Sequence, residues 1–260
     1  MKLGIEGKRA LVLGASKGLG AAVAIALANE GAAVIGASRS TEAIAALGSR
    51  IDPAAGGSIR AERLDLTDPA SVDALINACQ AGGIDILVNN SGGPPPAEAK
   101  DLTPDLLAKQ FAIMVTPLVT ISNALLPGMI DRGWGRIVTL TSSGVEAPLP
   151  RLALSNALRQ SLVGWSKTLA SEVAPHGVTV NVVVQGRIQT DRVDELDAAT
   201  AKRLGQSVEA VKAQSIAAIP AGRYGRAEEL GDLVAFLASD RASYITGSLI
   251  RIDGGLLKSI

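Results

Sequence analysis

The chain has few aromatic residues, one cysteine and one histidine. Aromatic residues make up 2% of its 260 residues, whereas 47% are apolar, and much of that apolar fraction is alanine and valine. A core of such small and β-branched side chains suits helices that pack closely on buried parallel strands. The lone Cys79 excludes an internal disulfide, which is typical of a reducing compartment. It follows Val72, Leu75 and Ile76 in a helical pattern, so we expect it in the core.

Long hydrophobic runs and an excess of one charge are also missing. The longest apolar run covers eight residues, Ala21 to Ala28, whereas a membrane-spanning helix needs about 20. Lys and Arg together number 25, as do Asp and Glu, so no global field attracts nucleic acid or an anionic membrane. The N-terminal residues carry no apolar signal segment. We therefore expect a soluble, cytoplasmic protein with neither nucleic acid nor a membrane as its partner.

Strand-like and helix-like segments alternate along the chain, without a linker or an internal repeat. The predicted strands are Ala10–Leu13, Ala33–Ala37, Ser58–Leu64, Ile84–Val88, Ile137–Leu140, Val178–Val184 and Leu249–Ile252. The predicted helices cover residues 18–30, 41–50, 68–81, 103–127, 152–173, 195–217 and 226–239. Strands that alternate with helices indicate βαβ units and a parallel sheet. The sequence therefore predicts an α/β fold, a Rossmann-type doubly wound parallel sheet of about seven strands, in a single domain over residues 1–260.

A glycine-rich loop follows the first predicted strand and leads directly into a helix rich in alanine. Gly14, Gly18 and Gly20 stand where the chain must turn sharply and where a pyrophosphate must approach the backbone. The N–H groups at the N-terminus of the following helix favour phosphate. Three glycines alone are a weak signal, but a strand before them and a helix after them predict a dinucleotide-binding loop.

The end of the second predicted strand, Ser38-Arg39-Ser40, bears on the choice of cofactor. A site for NAD places an acid here to bind the ribose 2′-hydroxyl, whereas an arginine accommodates the 2′-phosphate of NADP. The sequence has Arg39 and no acid before Glu42, so it predicts NADP(H). Lys17 in the glycine loop could add a second positive charge beside that phosphate, or could be a solvated loop residue.

Several ordered motifs make the chain resemble the classical short-chain dehydrogenases/reductases, in particular their 3-oxoacyl-[acyl-carrier-protein] reductase branch. Besides the glycine loop, these motifs are Leu64-Asp65-Leu66, Asn89-Asn90-Ser91-Gly92, Val180-Asn181-Val182-Val183 and Asp253-Gly254-Gly255. They run over residues 5–256 in the order of the family. The resemblance implies an NADP(H)-dependent oxidoreductase of a small carbonyl or hydroxyl compound, assembled as a homotetramer or homodimer through its long helices.

The resemblance also assigns the cofactor contacts residue by residue. Asp65 matches an aspartate that contacts adenine, and the segment from Asn89 to Gly92 matches one that lies along the cofactor. The predicted cofactor-binding residues are Gly14, Ser16, Lys17, Gly18, Leu19, Gly20, Ser38, Arg39, Ser40, Asp65, Leu66, Asn89, Ser91, Gly92, Gly186 and Thr190. Residues 186–217 match the mobile lid over the substrate.

The catalytic positions depart from the family, whose tetrad is Asn, Ser, Tyr and Lys. In that tetrad the serine positions the carbonyl, the tyrosine donates a proton, and the lysine lowers the pKa of the tyrosine and holds the ribose. Ser142 matches the serine, but Ser155 stands at the tyrosine position and Arg159 at the lysine position. Met114 stands at the asparagine position, and Gln185 replaces a usual proline.

The two replacements keep the geometry of the pair but not its acid. Ser155 and Arg159 are four residues apart, so a helix places both side chains on one face. Serine is a far weaker acid than tyrosine, and losing a positioned general acid typically costs about 10²–10⁴ in rate. Arg159 could bind ribose hydroxyls, offset oxyanion charge or clamp a carboxylate of the substrate.

The predicted catalytic set is therefore Ser142, Ser155 and Arg159, in an NADP(H)-dependent reductase with an altered active site. The alternative is a non-catalytic NADP(H)-binding protein with a regulatory or structural role. A remote alternative is a hydrolase, because the glycine loop also fits the Gly-x-Ser-x-Gly elbow with Ser16 as nucleophile. That interpretation needs a histidine, and the only one, His176, lies in a turn before a strand.

An acidic run after Gly186 could suggest a metal site. Its members are Asp191, Asp194, Glu195 and Asp197, with Arg187 and Arg192 interspersed. Such mixed charges are typical of a solvated helix face, so the sequence predicts no metal.

Overall fold

The computed structural model describes residues 2–259 and contains a seven-stranded sheet in which all neighbouring strands are parallel. The strands are β1 (Arg9–Leu13), β2 (Ala33–Ser38), β3 (Ser58–Arg63), β4 (Ile86–Asn89), β5 (Gly135–Leu140), β6 (Val178–Gln185) and β7 (Leu249–Ile252). Their spatial order is β3-β2-β1-β4-β5-β6-β7, so the winding changes direction between β1 and β4. The predicted Rossmann-type fold is confirmed, and each strand lies within two residues of its predicted bounds.

Helices connect the strands and cover both faces of the sheet. They are α1 (Gly18–Asn29), α2 (Thr41–Ala45), α3 (Pro69–Gln80), α4 (Pro104–Met114), α5 (Thr116–Asp131), α6 (Ala153–Val173), α7 (Asp191–Leu204), α8 (Val208–Ala217) and α9 (Ala227–Leu237). The predicted helix over 41–50 is shorter, because residues 46–50 continue as a 3₁₀ helix.

Two predicted helices are each divided in two. The helix over 103–127 breaks at Val115, whose φ is −113°, because Pro117 in the first turn of α5 has no N–H to continue the hydrogen-bond ladder. The helix over 195–217 breaks at Gly205, which ends α7 with φ +63° in the left-handed region. In addition, α7 begins at Asp191, four residues before the predicted start.

The core consists of one layer on each face of the sheet. Leu11 of β1 and Leu87 of β4 point to the layer that holds α3, α5 and α6, and Cys79 is fully buried there as predicted. Val12 and Val88 point to the opposite layer with α1 and α9. This alternation along buried strands is the reason the sheet is covered twice.

Small residues let α1 and α9 approach closely. A Cβ built on Gly231 of α9 would lie 2.8 Å from the Ala22 carbonyl oxygen of α1, so α9 tolerates only glycine at this point. The alanine-rich sequence of α1 thus serves close packing against α9.

One helical stretch, Pro104–Asp131, passes the length and composition test for a membrane span among the described residues. It comprises α4 and α5, and 44% of its most apolar window is buried in the protein. Leu118, Ile121 and Leu125 of this stretch belong to the core, so packing within the fold explains part of its apolar character, whereas Leu107 and Phe111 of α4 are exposed.

Candidate active site and cofactor cleft

The glycine loop between β1 and α1 has no room for larger residues. Gly14 has φ +64°, and a Cβ there would lie 2.8 Å from Asn90 Nδ2; a Cβ on Gly20 would lie 2.2 Å from the Gly14 carbonyl oxygen. Asn90 holds the loop in place, since its Nδ2 donates to the carbonyls of Leu13 and Gly14 at 3.2 and 3.5 Å. The loop is therefore fixed at the N-terminus of α1, where free N–H groups favour phosphate.

The other predicted residues of this loop lie beside these glycines. Gly18 opens α1 with φ +56°, and its Cβ position is 3.5 Å from the methyl group of Thr190. Ser16 and Leu19 are half-buried, whereas Lys17 is exposed. Thr190 precedes α7 and is distant from this loop in the sequence, but the fold places it beside Gly18.

Lys17 is engaged with the start of α7 by an exposed ion pair. Its Nζ lies 3.3 Å from Asp191 Oδ2, and the two side chains are 70% and 71% exposed. This carboxylate competes with any phosphate of a ligand for the charge of Lys17.

The ends of β2 and β3 lie next to this loop; we call this carboxyl edge of the sheet, from β3 to β5, the cleft. The Ser38 hydroxyl donates to the Ser40 carbonyl and accepts the Ser40 N–H, both at 3.1 Å, which fixes the turn that carries the exposed Arg39. Asp65 Oδ1 accepts hydrogen bonds from the N–H and the hydroxyl of Thr67 at 3.0 and 2.7 Å.

Arg39 and Asp65 lie close enough for their charges to interact. The hydrogen bonds from Thr67 lower the pKa of the Asp65 carboxyl most, and the positive charges of Arg39 and Arg63 lower it further. Leu66 is half-buried beside Asp65. The structure therefore brings together the residues predicted for the adenine and 2′-phosphate end of the cofactor.

The residues after β4 divide between the core and the cleft. The Asn89 side chain is fully buried and donates to Ser122 Oγ at 3.0 Å and to Thr139 Oγ1 at 3.5 Å. It ties β4 to α5 and β5, so a direct cofactor contact through its side chain stays a prediction. Ser91 Oγ is buried without a hydrogen-bond partner among the described residues, whereas Gly92 is exposed in open space.

The three predicted catalytic residues lie at the carboxyl edge of the sheet: Ser142 follows β5, and Arg159, which contacts Ser155, is bonded to the ends of β4 and β5. Ser142 Oγ accepts the Gly144 N–H at 3.2 Å. Arg159 is 8% exposed, and its Nε donates to Ser155 Oγ at 3.3 Å. Its other two nitrogens donate to main-chain carbonyls, Nη1 to Leu140 at 3.1 Å and Nη2 to Ser91 at 3.5 Å.

Burial and a second cation lower the pKa of the Arg159 guanidinium to about 10. Burial is the larger cause, and the positive charge of Arg192 adds to it. The ion pairs among residues 2–259 do not include Arg159. Arg159 remains charged at neutral pH, and within this part of the chain no carboxylate forms an ion pair with it.

Two further residues were predicted to depart from the family pattern. Met114, predicted to stand at the asparagine position, is 2% exposed and belongs to the core. Gln185 at the end of β6 donates from Nε2 to the Thr141 carbonyl at 2.6 Å, and its buried Oε1 has no partner among the described residues. Gly186 follows, and a Cβ there would lie 2.7 Å from Asp253 Cβ, so the chain passes close to the end of β7.

The acidic run of α7 differs from the predicted solvated face at one position. Asp191, Asp194 and Glu195 are exposed, but Asp197 is 1% exposed. Sequence reasoning missed its role, because its partners are distant in the chain. Tyr224 donates its O–H to Asp197 Oδ2 at 2.7 Å, and the Arg187 guanidinium pairs with the other carboxylate oxygen. This buried group fixes α7 against the segments before and after it.

The hydrolase alternative is at odds with the topology. Ser16 follows the carboxyl end of β1, whereas His176 is exposed and precedes the amino end of β6. All strands are parallel and β6 has eight residues, which is about 26 Å of extended chain. The two residues therefore lie at opposite edges of the sheet and cannot form a nucleophile–base pair.

Comparison with known proteins agrees with this geometry. The family model described as enoyl-(acyl carrier protein) reductase matches residues 14–257. The 3-oxoacyl-[acyl-carrier-protein] reductase of Salmonella typhimurium is 36% identical over 258 residues, which cover 98% of this chain and 99% of that protein. The enzyme of the same name from Haemophilus influenzae is 36% identical over 266 residues, covering 98% and 100%.

A solved structure is similar over the full length. It is the L-sorbose reductase of Gluconobacter frateurii in complex with NADPH and L-sorbose, with a TM-score of 0.92, 30% identity and complete coverage of both chains. Together with the family model and the curated relatives, this shows that the chain belongs to the short-chain dehydrogenase/reductase family, in the branch similar to the 3-oxoacyl-[acyl-carrier-protein] reductases.

Proposed function

We propose that the protein is an NADP(H)-dependent reductase of a small carbonyl compound, whose active site works with Ser142, Ser155 and Arg159. The position of Arg159 carries this proposal: its charged guanidinium is held by main-chain groups beyond β4 and β5, beside Ser155. The oxidoreductase family of the chain and the NADPH complex of the similar L-sorbose reductase support it.

The residues of the cleft fit NADP(H). The closed glycine loop at Gly14 and Gly20 presents the N-terminus of α1, which would hold the pyrophosphate. Arg39 would hold the 2′-phosphate, and Asp65 would face the adenine end. The buried Ser91 hydroxyl still lacks a partner among the described residues, which a ligand along this edge would supply.

The chain can supply both polarisation and a proton path for carbonyl reduction. When bound, NADPH supplies the hydride for the carbonyl carbon, and the carbonyl oxygen must then gain a proton. The Ser142 hydroxyl accepts an N–H from Gly144, so its own hydrogen is left to donate to that oxygen. The Arg159 guanidinium offsets the charge that develops on it.

Ser155 stands at the tyrosine position but would relay a proton instead of releasing its own. Its hydroxyl accepts from Arg159 Nε, so its hydrogen points to another acceptor, the carbonyl oxygen or a water. We infer that the proton comes from water through Ser155, because a serine hydroxyl is too weak an acid to release its own proton at neutral pH. The carbonyl group then gains one hydride at its carbon and one proton at its oxygen.

A second candidate is a protein that binds NADP(H) without turnover, in a regulatory or structural role. The specific observation in its favour is that three N–H donors of Arg159 are bonded to the protein itself. With the tyrosine and lysine both replaced, such a site could serve structure alone.

Turnover separates the two candidates. We expect slow, enzyme-dependent consumption of NADPH with some members of a panel of small aldehydes and ketones, with the alcohol product detected by mass spectrometry. In the double variant Ser155→Tyr/Arg159→Lys, which restores the pair of the family, the rate should rise by about 10²–10⁴. If both proteins bind NADPH and neither turns over any carbonyl, the non-catalytic candidate replaces the reductase.

Three finer expectations accompany the proposed function. Residues 186–217, which include α7 and α8, would form the lid over the substrate. Residues 1–260 would act as one domain. The long helices would form a homotetramer or homodimer in the cytoplasm. Light scattering of the purified protein measures the assembly directly.

A further inference from the structure

Arg159 is a buried cation without a counter-ion among the described residues. Its side chain is 8% exposed, and the ion pairs of residues 2–259 do not include it. Removing a charged group from water is costly unless an opposite charge accompanies it. Main-chain carbonyls supply only partial compensation, so the site lacks one full negative charge.

A second guanidinium contacts the same loop after β4. Arg192, in the first turn of α7, donates from Nη2 to the Pro94 carbonyl at 3.3 Å, while Arg159 donates from Nη2 to the Ser91 carbonyl at 3.5 Å. These carbonyls belong to residues three apart, which span at most about 10 Å of extended chain. The positive charge of Arg192 is felt at Arg159 and lowers its pKa.

The carboxylate beside Arg192 does not neutralise this pair of cations. Glu195 lies 3.2 Å from Arg192 Nη1, but the two side chains are 60% and 45% exposed. An exposed ion pair of this kind contributes little free energy, and salt screens its attraction.

Both arginines have donors left for a ligand. Arginine has five N–H donors; among the described residues, three of those in Arg159 and two of those in Arg192 are bonded. The remaining donors suit a planar or tetrahedral anion, which arginine binds through paired hydrogen bonds.

The phosphates of a cofactor are not the obvious partner of these donors. The glycine loop that would hold a pyrophosphate follows β1, whereas Arg159 is bonded beyond β4 and β5, next to Ser155. Arg159 therefore lies away from the loop expected to hold the pyrophosphate and beside Ser155, which the resemblance places at the reacting carbonyl.

We propose that the substrate carries an anionic group near its carbonyl, a carboxylate or a phosphate, and that this group binds between Arg159 and Arg192. The inference rests on the proposed function and names its substrate class. Because Arg192 belongs to α7, which is part of the proposed lid, the bound anion would also connect this helix to Arg159 at the ends of β4 and β5.

Binding tests the inference without turnover. Protein saturated with NADP⁺ is titrated by calorimetry, at constant ionic strength, with 2-oxo acids and their methyl esters, and with dihydroxyacetone phosphate and dihydroxyacetone. We expect at least one anionic probe to bind about tenfold more tightly than its neutral counterpart, or better, as a charge-assisted hydrogen bond provides. The two pairs of probes distinguish carboxylate from phosphate. Equal affinity within both pairs overturns the inference.

Two variants and one control assign the effect to the arginines. Arg192→Gln should lower the affinity for the anionic probe about tenfold or more and leave that for NADPH unchanged. Arg159→Lys keeps a charge but loses the paired donors, so it should weaken the anionic probe more than NADPH. Arg203→Gln, at an exposed position in the last turn of α7, should change neither.

The possible failures are distinguishable. An equal loss of NADPH and probe affinity would mean that the arginines serve the cofactor, and would overturn the inference. Reduction of neutral carbonyls without preference for anions would keep the reductase and also overturn the inference. Anion binding that depends on both arginines, without reduction, would support the anion site and count against the reductase.

Discussion

A buried arginine lies at each end of strand β5, Arg136 of the strand itself and Arg159 of α6, and their surroundings carry opposite charges. Arg136, at the amino end, is 3% exposed and donates to the carbonyls of Ser239, Gly135 and Gly177. It also lies 3.7 Å from Asp240, and its guanidinium stands 4.2 Å from the centre of the Trp134 ring. At this edge of the sheet the fold itself supplies the opposite charge.

Arg159 is bound at the carboxyl end of the same strand through the Leu140 carbonyl. Burial lowers the pKa of both guanidinium groups, but Asp240 raises that of Arg136, whereas Arg192 lowers that of Arg159 further, to about 10. Burial therefore does not distinguish these two arginines; the sign of the charge beside each one does. The uncompensated charge lies at the edge where ligands of parallel sheets bind.

The stability of two matched variants is the sharpest test of this comparison. Arg136→Met leaves three carbonyls and Asp240 without their charged donor, so we expect the free energy of unfolding to fall by about 3 kcal/mol or more. Arg159→Met removes a buried charge that another cation repels, so its loss should be at least about 2 kcal/mol smaller. Denaturant unfolding of both variants measures the difference. Equal losses would mean that the two ends of β5 are energetically alike.

Glycine substitutions extend the comparison to the loops at both edges. A Cβ would lie 2.2 Å from a backbone oxygen in Gly20→Ala at the carboxyl edge and in Gly177→Ala at the amino edge. Both changes should cost about 1–3 kcal/mol of stability. Only Gly20→Ala should also weaken NADPH binding, by about tenfold or more, because it displaces the loop at α1. A similar loss of NADPH affinity in Gly177→Ala would show that the effect is global.

Arg39 tests the specificity for the 2′-phosphate. In titrations of the wild type we expect NADPH to bind more tightly than NADH, and Arg39→Ala to weaken NADPH about 10–100-fold while sparing NADH, as the loss of a charged hydrogen bond implies. Arg63→Ala is the matched control. Arg63, like Arg39, is exposed, and the positive charges of both arginines lower the pKa of Asp65. If the wild type binds neither nucleotide, the cofactor assignment is wrong.

The smallest expected effect concerns Lys17 and its exposed ion pair with Asp191. Asp191→Asn frees Lys17 and should raise the affinity for NADPH by up to about fivefold, because such a pair contributes at most about 1 kcal/mol. The gain should shrink as salt is added. Asp194→Asn, one turn further along α7, is the control. An unchanged affinity at low salt would identify Lys17 as a solvated loop residue.

Most of the fold could be predicted from the sequence because buried strands and amphipathic helices have distinct periods. The two divided helices were predicted wrongly because a continuous apolar pattern hides a local break. Pro117 and Gly205 decide those breaks through a missing N–H and a left-handed backbone.

The candidate site was predictable where short motifs impose backbone geometry. The glycines of the loop and the spacing of Ser155 and Arg159 carry that information in the sequence itself. Asp197 was not predictable in this way, since its burial depends on Arg187 and Tyr224 from separate segments. A run of charged residues in a sequence does not reveal which of them the fold will bury.

The sequence by itself determined the sheet, the glycine loop and the spacing of Ser155 and Arg159, because periodicity, glycine and residue identity are local properties. Only the tertiary structure decided the charge of the site. It brings Arg192 of α7 to the loop that already holds Arg159, and it gives Arg136 rather than Arg159 a carboxylate partner. Electrostatic energy depends on distance and burial, and those are fixed only when distant segments pack together.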